Sequence, residues 1–176
     1  MSIRIATLSD ADVLTELSAT TMYEAFGPPH NPAELVAEYV ASAITLPIIQ
    51  QELADPKSTF FLVEADNGTP VGYAKMRRHT PPRSMPEPHR SVRNAVEIQR
   101  IYLRQDQVGQ GQGRLLMEHC LNWASEQGYK AVWLGVWERN ERALAFYKKI
   151  GFERFGYHYF QFGSERQRDF WLQKQL

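Results

Sequence analysis

The chain has 176 residues, the length of one domain with a substantial buried core. Its 20 acidic residues balance 20 lysines and arginines, which argues against nucleic acid as the main partner because phosphate binding favours a basic excess. A single cysteine, Cys120, excludes an internal disulfide and a cysteine-rich metal site. We find no signal-peptide pattern and no apolar run long enough to span a membrane, so we expect a cytoplasmic protein with no membrane partner.

The first third of the chain is predicted to be helical after one short strand at residues 3–6. Ser9-Asp10 is expected to cap a helix that runs toward Phe26, and two further helical pieces follow Pro32 and Pro47. Residues 1–60 carry eight acids against two bases, so the balanced total hides an acidic N-terminal segment.

The middle of the chain is predicted to be β-rich. Residues 58–65 and 71–78 flank the hairpin signal Asp66-Asn67-Gly68 and form two antiparallel strands. Four prolines within residues 80–92 indicate one long loop, and residues 96–103 form the next strand.

The last third alternates helices and strands. A helix is expected to end near Gln127, followed by a strand at 131–136 and a helix at 141–150 that Gly151 terminates. Two strands, at 152–162 and 169–174, close the chain. The order of elements predicts one mixed α/β domain over residues 1–176.

The stretch IYLRQDQVGQGQGRLLMEHCLNWA, residues 101–124, places a glycine-rich turn between a strand and a helix. Such a turn forms an anion site, because N–H groups point outward, the helix dipole adds positive charge and glycine permits close approach. The expected ligand is a phosphate or pyrophosphate. The dinucleotide motif GxGxxG would need glycine where Arg114 stands, and the P-loop motif has no match.

The run VGQGQGRLL instead resembles the pyrophosphate loop of the GCN5-related N-acetyltransferases (GNAT), whose pattern is Gln/Arg-x-x-Gly-x-Gly/Ala. Gly111 and Gly113 match the two glycines, while Val108 stands where the family has Gln or Arg. WLGVWERNERALAFYKKIGFERFG, residues 133–156, resembles the family's next block. The positions in register are Asn140, Ala143, Phe146, Tyr147, Gly151 and Phe152. The likeness covers about residues 96–162, and the tail at 158–176 further resembles the bacterial spermidine/spermine N-acetyltransferase branch.

This resemblance implies a GNAT fold, with a mixed, mostly antiparallel sheet of six or seven strands flanked by helices. It implies an enzyme that moves the acetyl group of acetyl-CoA to a primary amine, by direct attack in a ternary complex. A small-molecule amine, such as a polyamine, is the leading acceptor. Two alternatives stay open: a protein or peptide amine as acceptor, and a regulatory protein that binds acetyl-CoA without transferring its acetyl group. The family is also compatible with a homodimer.

The resemblance also implies the site residues. The residues expected to bind acetyl-CoA are Ile101, Tyr102, Leu103, Val108, Gly109, Gln110, Gly111, Gln112, Gly113, Arg114, Asn140 and Tyr147. Tyr147 is the expected general acid, since a phenol can donate a proton to the departing thiolate. For Asn140 the alternative is a helix N-cap. No metal ligands are expected.

Two further assignments come from position in the predicted elements. Glu97 is the candidate base, because alternation would place it on one strand face with Gln99 and Ile101; a salt bridge, or water as the base, is the alternative. Tyr23, Glu24 and Phe26 are the candidate acceptor-binding residues, since a carboxylate and aromatic rings can receive a cation. Cys120 lies at helical spacing with apolar neighbours and is expected to be an inert core residue.

Overall fold

The computed structural model describes residues 1–176 as one seven-stranded sheet with helices on both faces. The helices are α1 (Ala11–Phe26), α2 (Ala33–Ala43), α3 (Leu46–Ala54), α4 (Gln112–Glu126) and α5 (Glu141–Lys149). The strands are β1 (Ser2–Ile5), β2 (Ser58–Glu64), β3 (Pro70–Arg77), β4 (Ala95–Leu103), β5 (Ala131–Trp137), β6 (Glu153–Phe162) and β7 (Glu165–Gln175). The sheet order is β1-β2-β3-β4-β5-β7-β6, and every neighbouring pair is antiparallel except β4 and β5. The predicted fold class and strand number are confirmed.

The last strand is longer than the sequence predicted. β7 begins at Glu165 instead of residue 169, so it includes the polar residues 165–168, whose sequence does not predict a strand. Arg166 and Arg168 in this run lie over the rings of Tyr159 and Tyr157, with distances of 4.2 and 5.8 Å from the guanidinium carbon to the ring centroid. Cation–π contacts with the neighbouring strand therefore stabilise residues whose own composition favours a turn.

The fourth strand contains a β-bulge that changes the direction of its side chains. The register with β3 shifts between Lys75 and Met76, so Gln99 has no partner residue there. Because one inserted residue moves later side chains to the other face, Glu97 and Ile101 point to opposite faces of the sheet. The expectation that these two residues share a face is wrong.

Each face of the sheet has its own core. The face under α4 and α5 carries a cluster of 17 buried residues that includes Phe61, Ile98 and Leu116. The face under α1 and α3 carries a cluster of eight that includes Leu14 and Tyr73. The alternation of β2 and β3 supplies both clusters, because successive side chains enter opposite faces.

The two central strands pair over a short distance only. β4 and β5 are parallel neighbours at Ala95–Ala131, Val96–Val132 and Glu97–Trp133, and no pairing follows. Beyond that point β4 continues to pair with β3 and β5 continues to pair with β7. The two strands diverge there, and a cleft opens through the middle of the sheet.

The proline-rich loop at residues 80–92 packs against the sheet. Met85 in this loop is buried against Ala95, Ala131 and Trp133. The loop therefore covers the strand ends where β4 and β5 still pair.

No single helix is long and apolar enough to cross a membrane. α2 and α3 reach the required length and hydropathy only together, and the chain bends by 49° between them. Both helices contribute buried residues to the domain, including Leu35 and Ile49.

Two cations are buried beneath α3. Lys75 of β3 is 2% exposed, and its Nζ lies 2.6 Å from Oε1 of Glu52 in α3. Arg100 of β4 donates to both oxygens of the same carboxylate, at 2.7 and 3.1 Å. Burial lowers the pKa of Lys75 to about 8, although the hydrogen bond that its ammonium donates to Glu52 opposes this shift. One carboxylate thus connects α3 to two strands and compensates two buried charges.

We expect Glu52→Gln to lower the free energy of unfolding by about 3 kcal/mol, since it leaves buried cations without their counter-charge. Urea denaturation measures this change. Glu126→Gln, at an exposed helix position, is the matched control and should change stability by less than about 0.5 kcal/mol. Equal stability of the two variants would contradict the assignment.

Candidate active site

The cleft between β4 and β5 has a volume of about 1720 Å³ and is lined from both faces of the sheet. We call one end the glycine-loop half, formed by residues 108–114 with side chains of α4 and α5. The other end is the aromatic half. Its rings belong to Phe26, His30, Tyr39, Tyr102, Trp137, Phe160 and Phe162.

The glycine loop has the backbone of an anion cradle. Gly109 and Gly111 have φ angles of +89° and +81°, a region that favours glycine, and Gly111 is the N-cap of the 15-residue helix α4. A Cβ at either position would meet no atom within 4 Å, so the space above the loop is open. An open loop at the N-terminus of a long helix fits a phosphate group.

The side chains of the loop divide into two groups. Val108 and Arg114 line the cleft together with Gly109, Gly111 and Gly113. Gln110 and Gln112 are not among the lining residues: their amide nitrogens donate to the Asp106 carbonyl at 2.9 Å and to Gln107 Oε1 at 3.0 Å. These two predicted ligand-binding residues therefore brace the loop from within.

The strand that delivers the loop also lines the cleft. Ile101, Tyr102 and Leu103 form its wall, on the part of β4 that β5 no longer pairs. The strand edge that faces the cleft therefore has no strand partner. Backbone N–H and C=O groups at such an edge need a partner, which water or a ligand can supply.

Tyr147 of α5 reaches the same cleft. It is 8% exposed and packs against the rings of Phe146 and Phe152, at centroid distances of 5.5 and 5.6 Å. Burial holds the pKa of this phenol well above its usual range, and nearby Cys120 adds to the shift. The phenol therefore keeps its proton near neutral pH, as a proton donor must.

Asn140 lines the cleft at the start of α5. Its Oδ1 accepts a hydrogen bond from the Ala143 backbone N–H at 3.1 Å, so the residue is the helix N-cap. The capping alternative is thus present, at a position that also contacts the cleft.

Glu97 lies outside the cleft lining. It is 5% exposed, and its carboxylate accepts from Arg77 Nε at 2.8 Å. Because the bulge at Gln99 sends Glu97 to the face away from Ile101, the geometry favours the salt-bridge alternative.

The three expected acceptor-binding residues have different positions. Phe26 belongs to the aromatic half, where its ring lies 6.0 Å from that of Trp137. Glu24 lines the cleft, but its carboxylate accepts the Gln105 backbone N–H at 2.8 Å. Tyr23 is 41% exposed and does not line the cleft.

Sequence reasoning missed most of the aromatic half. Tyr39, Trp137 and Phe162 come from α2, the end of β5 and the end of β6, which are far apart in the chain. It also missed Asp169, a cleft-lining carboxylate on β7 directly opposite Trp137. One feature of the sequence could have indicated Asp169. It directly precedes the apolar run Phe170-Trp171-Leu172, and a carboxylate beside a buried strand needs a partner.

Comparisons with known proteins agree with this geometry. The acetyltransferase (GNAT) family pattern matches residues 19–152. An uncharacterized N-acetyltransferase of Lactobacillus delbrueckii subsp. lactis is 33% identical over 176 residues, which cover 99% of this chain and 98% of the relative.

Two solved structures share the fold. The PaiA N-acetyltransferase from Thermoplasma acidophilum, in complex with coenzyme A, superposes with a TM-score of 0.75 at 17% identity and full coverage of both chains. Mutant forms of the spermidine/spermine N-acetyltransferase SpeG from Vibrio cholerae give a TM-score of 0.67 at 15% identity, covering 99% of this chain and 93% of the other.

We expect Cys120 to resist thiol reagents in the folded protein, because it is fully buried and burial raises its pKa to about 12. Ellman's reagent measures this: no labelling of the native protein and one thiol per chain after unfolding in guanidinium. Rapid labelling of the native protein would show an accessible nucleophile beside the cleft.

Proposed function

The chain belongs to the GCN5-related N-acetyltransferase family, whose co-substrate is acetyl-CoA, and we propose that it acetylates the primary amine of a small molecule. The amine attacks the thioester directly in a ternary complex. The observation that carries this proposal is the shape of the cleft, with an anion cradle at one half and a closed aromatic wall at the other.

The residues of the glycine-loop half fit the pyrophosphate of coenzyme A. Positive φ angles and open space at Gly109 and Gly111 allow close backbone approach, which a Cβ would hinder. Val108 gives no polar side chain to this ligand. Cationic side chains also line the cleft; they are Arg114, whose Nε donates to Glu118 Oε1 at 2.7 Å, and Arg139, Arg142 and Lys149.

The part of β4 that no longer pairs with β5 is the proposed binding edge for the extended arm of the coenzyme. Ile101, Tyr102 and Leu103 pair with β3 on one edge, and the polar groups on their other edge, where β5 has diverged, can bond the amides of a ligand. Asn140 caps α5 and also lines the cleft, after the end of β5.

Tyr147 is the proposed general acid. Acetyl-CoA supplies a thioester whose thiolate leaves when the amine attacks, and a phenol that keeps its proton donates it to that sulfur. Because Glu97 is paired with Arg77 outside the cleft lining, water is the better supported of the two bases considered for the amine proton.

The aromatic half favours a small acceptor over a protein chain. The tip of the β6–β7 hairpin contacts α2, where the Ser164 backbone N–H donates to Glu38 Oε2 at 2.8 Å. Gly163 of the same tip packs so closely that an added Cβ would lie 2.8 Å from the Leu35 carbonyl oxygen. Gln167 Nε2 donates to Asn31 Oδ1 at 2.7 Å. These contacts close the aromatic half from the side, whereas a peptide would need an open groove.

The acidic residues of the N-terminal segment give less support to a polyamine acceptor than their number suggested. Several acids of the first 60 residues bind partners inside the fold: Asp10 pairs with Arg4, Glu24 caps the Gln105 N–H, Glu38 caps the Ser164 N–H, and Glu52 pairs with Lys75 and Arg100. These carboxylates are not free to bind a polycation. Spermidine and spermine remain predicted acceptors to be tested with other amines.

The test is release of free thiol from acetyl-CoA with a panel of amines, amino acids and N-terminal peptides, using the Tyr147→Phe variant as the decisive comparison. We expect turnover with small amines and a fall in kcat of about 100-fold or more in the variant, since it lacks the proton donor. Tyr129→Phe, outside the cleft lining, is the matched control. Cys120→Ala should retain turnover.

Binding of acetyl-CoA without turnover of any amine would favour the regulatory alternative, and preferred acetylation of peptides would favour the peptide alternative.

We expect Gly111→Ala to weaken acetyl-CoA binding at least tenfold, because alanine at a positive φ shifts the loop backbone at a cost of about 1–2 kcal/mol. Gly68→Ala is the matched control: Gly68 has a φ angle of +80°, its Cβ would also meet no atom within 4 Å, and it lies in the β2–β3 turn. Calorimetric titration with acetyl-CoA should separate the two variants. Equal affinities would show that the loop does not hold the ligand.

A further inference from the structure

We propose that the acceptor is a primary amine with a single positive charge on an apolar or aromatic body, and that Asp169 binds its amino group. This inference rests on the proposed function, because it names the acceptor class for the same cleft. Three features of the cleft support it: an unpaired carboxylate, an aromatic wall and the local charge balance.

Asp169 has no hydrogen-bond donor within the protein. Its side chain is 18% exposed and lines the cleft, yet the polar atom nearest along the neighbouring strand, Nε2 of His158, lies 3.8 Å from Oδ2. That distance is too long for a hydrogen bond. Nε2 of His158 is also buried without a partner, and the imidazole, which is not part of the cleft lining, stacks on Trp171 with ring centroids 3.7 Å apart. An unpaired carboxylate that lines a cleft indicates a ligand that supplies N–H donors.

The rings of the aromatic half form a continuous wall. Phe26 is the centre of this wall, at 6.3 Å from Tyr102, 6.0 Å from Trp137 and 5.6 Å from Phe162. Tyr39 stacks on Phe162 at 4.9 Å. Aromatic faces attract ammonium groups and also exclude water from an apolar body. The wall therefore suits an amine whose remainder is hydrocarbon or aromatic.

The charge balance of the aromatic half favours one positive charge. Of the charged groups near Asp169, Glu138 after β5 accepts from Arg168 Nε at 2.6 Å. Burial lowers the pKa of His158 on β6, so this side chain is neutral at pH 7. The other titratable groups that line this end are Glu24, His30, Tyr39 and Tyr102, and the Glu24 carboxylate accepts the Gln105 backbone N–H. Arg100 is paired with Glu52.

Asp169 is thus the one carboxylate of this half without an internal partner. A polyamine with several charges would have to bury the others without a counter-ion, which is costly.

Burial raises the pKa of Asp169 to about 6, and the nearby charge of Glu138 adds to the shift. The carboxylate is therefore charged above pH 6 and neutral below it. We expect amine binding to weaken as the pH falls from about 7.5 to about 5, because protonation removes the anionic partner.

The experiment is calorimetric titration of phenethylamine and of spermidine into the protein saturated with coenzyme A. We expect phenethylamine to bind at least tenfold more tightly than spermidine. Asp169→Asn, which keeps the shape and removes the charge, should weaken phenethylamine binding at least tenfold. Glu165→Gln, at the exposed start of the same strand, is the matched control and should bind like the unmodified protein.

A second measurement separates binding from folding. Because the folded state raises the pKa of Asp169, its ionised carboxylate destabilises the protein above pH 6. Asp169→Asn should therefore raise the Tm of the free protein by a few degrees at neutral pH, while its affinity for coenzyme A stays unchanged. A lowered Tm together with lost coenzyme A affinity would make Asp169 a structural residue and overturn the inference.

The outcomes distinguish this inference from the proposed function. Tighter binding of spermidine, no detectable binding of phenethylamine, or unchanged binding by Asp169→Asn would each overturn the inference, even if some amine is acetylated. Failure to acetylate any amine would count against the proposed function, while the binding titration would still decide whether Asp169 recognises a monoamine.

Discussion

The parallel pairing of β4 and β5 stops after Glu97 and Trp133, and the site depends on this separation. Each strand keeps its other neighbour, so the opening is flanked by the β3–β4 pair on one side and by the β5–β7 pair on the other. The bulge at Gln99 then decides which side chains face each half. It sends Tyr102 toward the aromatic half and Ile101 toward the core under α4. A cleft through a sheet lets two substrates approach from opposite faces and meet in the middle.

The sequence allowed the glycine-loop half to be predicted because that half is local in the chain. A strand, a glycine turn and a helix follow one another within residues 96–126, and Tyr147 lies one strand and one helix later. The periodicities of those elements are strong, so their order and their contacts with the cleft were predictable. Gln110 and Gln112 were the exception, since a motif gives position along the chain but not the direction of a side chain.

The aromatic half was largely unpredictable for the opposite reason. It is assembled from α1, α2, the end of β5 and the terminal hairpin, and no local pattern relates Phe26 to Trp137 or Asp169. The bulge was equally hidden, because Gln99 fits the strand alternation in the sequence and the misplaced Glu97 followed from it. The acidic excess of the N-terminal segment led to a different error, because it suggested free carboxylates for a polycation. Counting charges along the chain ignores partners such as Lys75 and Arg100, which come from strands more than 20 residues away.

The tight contact between Gly163 and α2 limits how this enzyme can diversify. Gly163 has a φ angle of +56°, and Leu35 and Glu38 occupy the space where a side chain would begin. A larger residue there would push the hairpin away from α2 and open the aromatic half to bulk water. We therefore expect evolutionary change in acceptor choice to occur by exchange of wall residues such as Phe26 and Trp137, within an enclosure whose outer dimensions stay fixed.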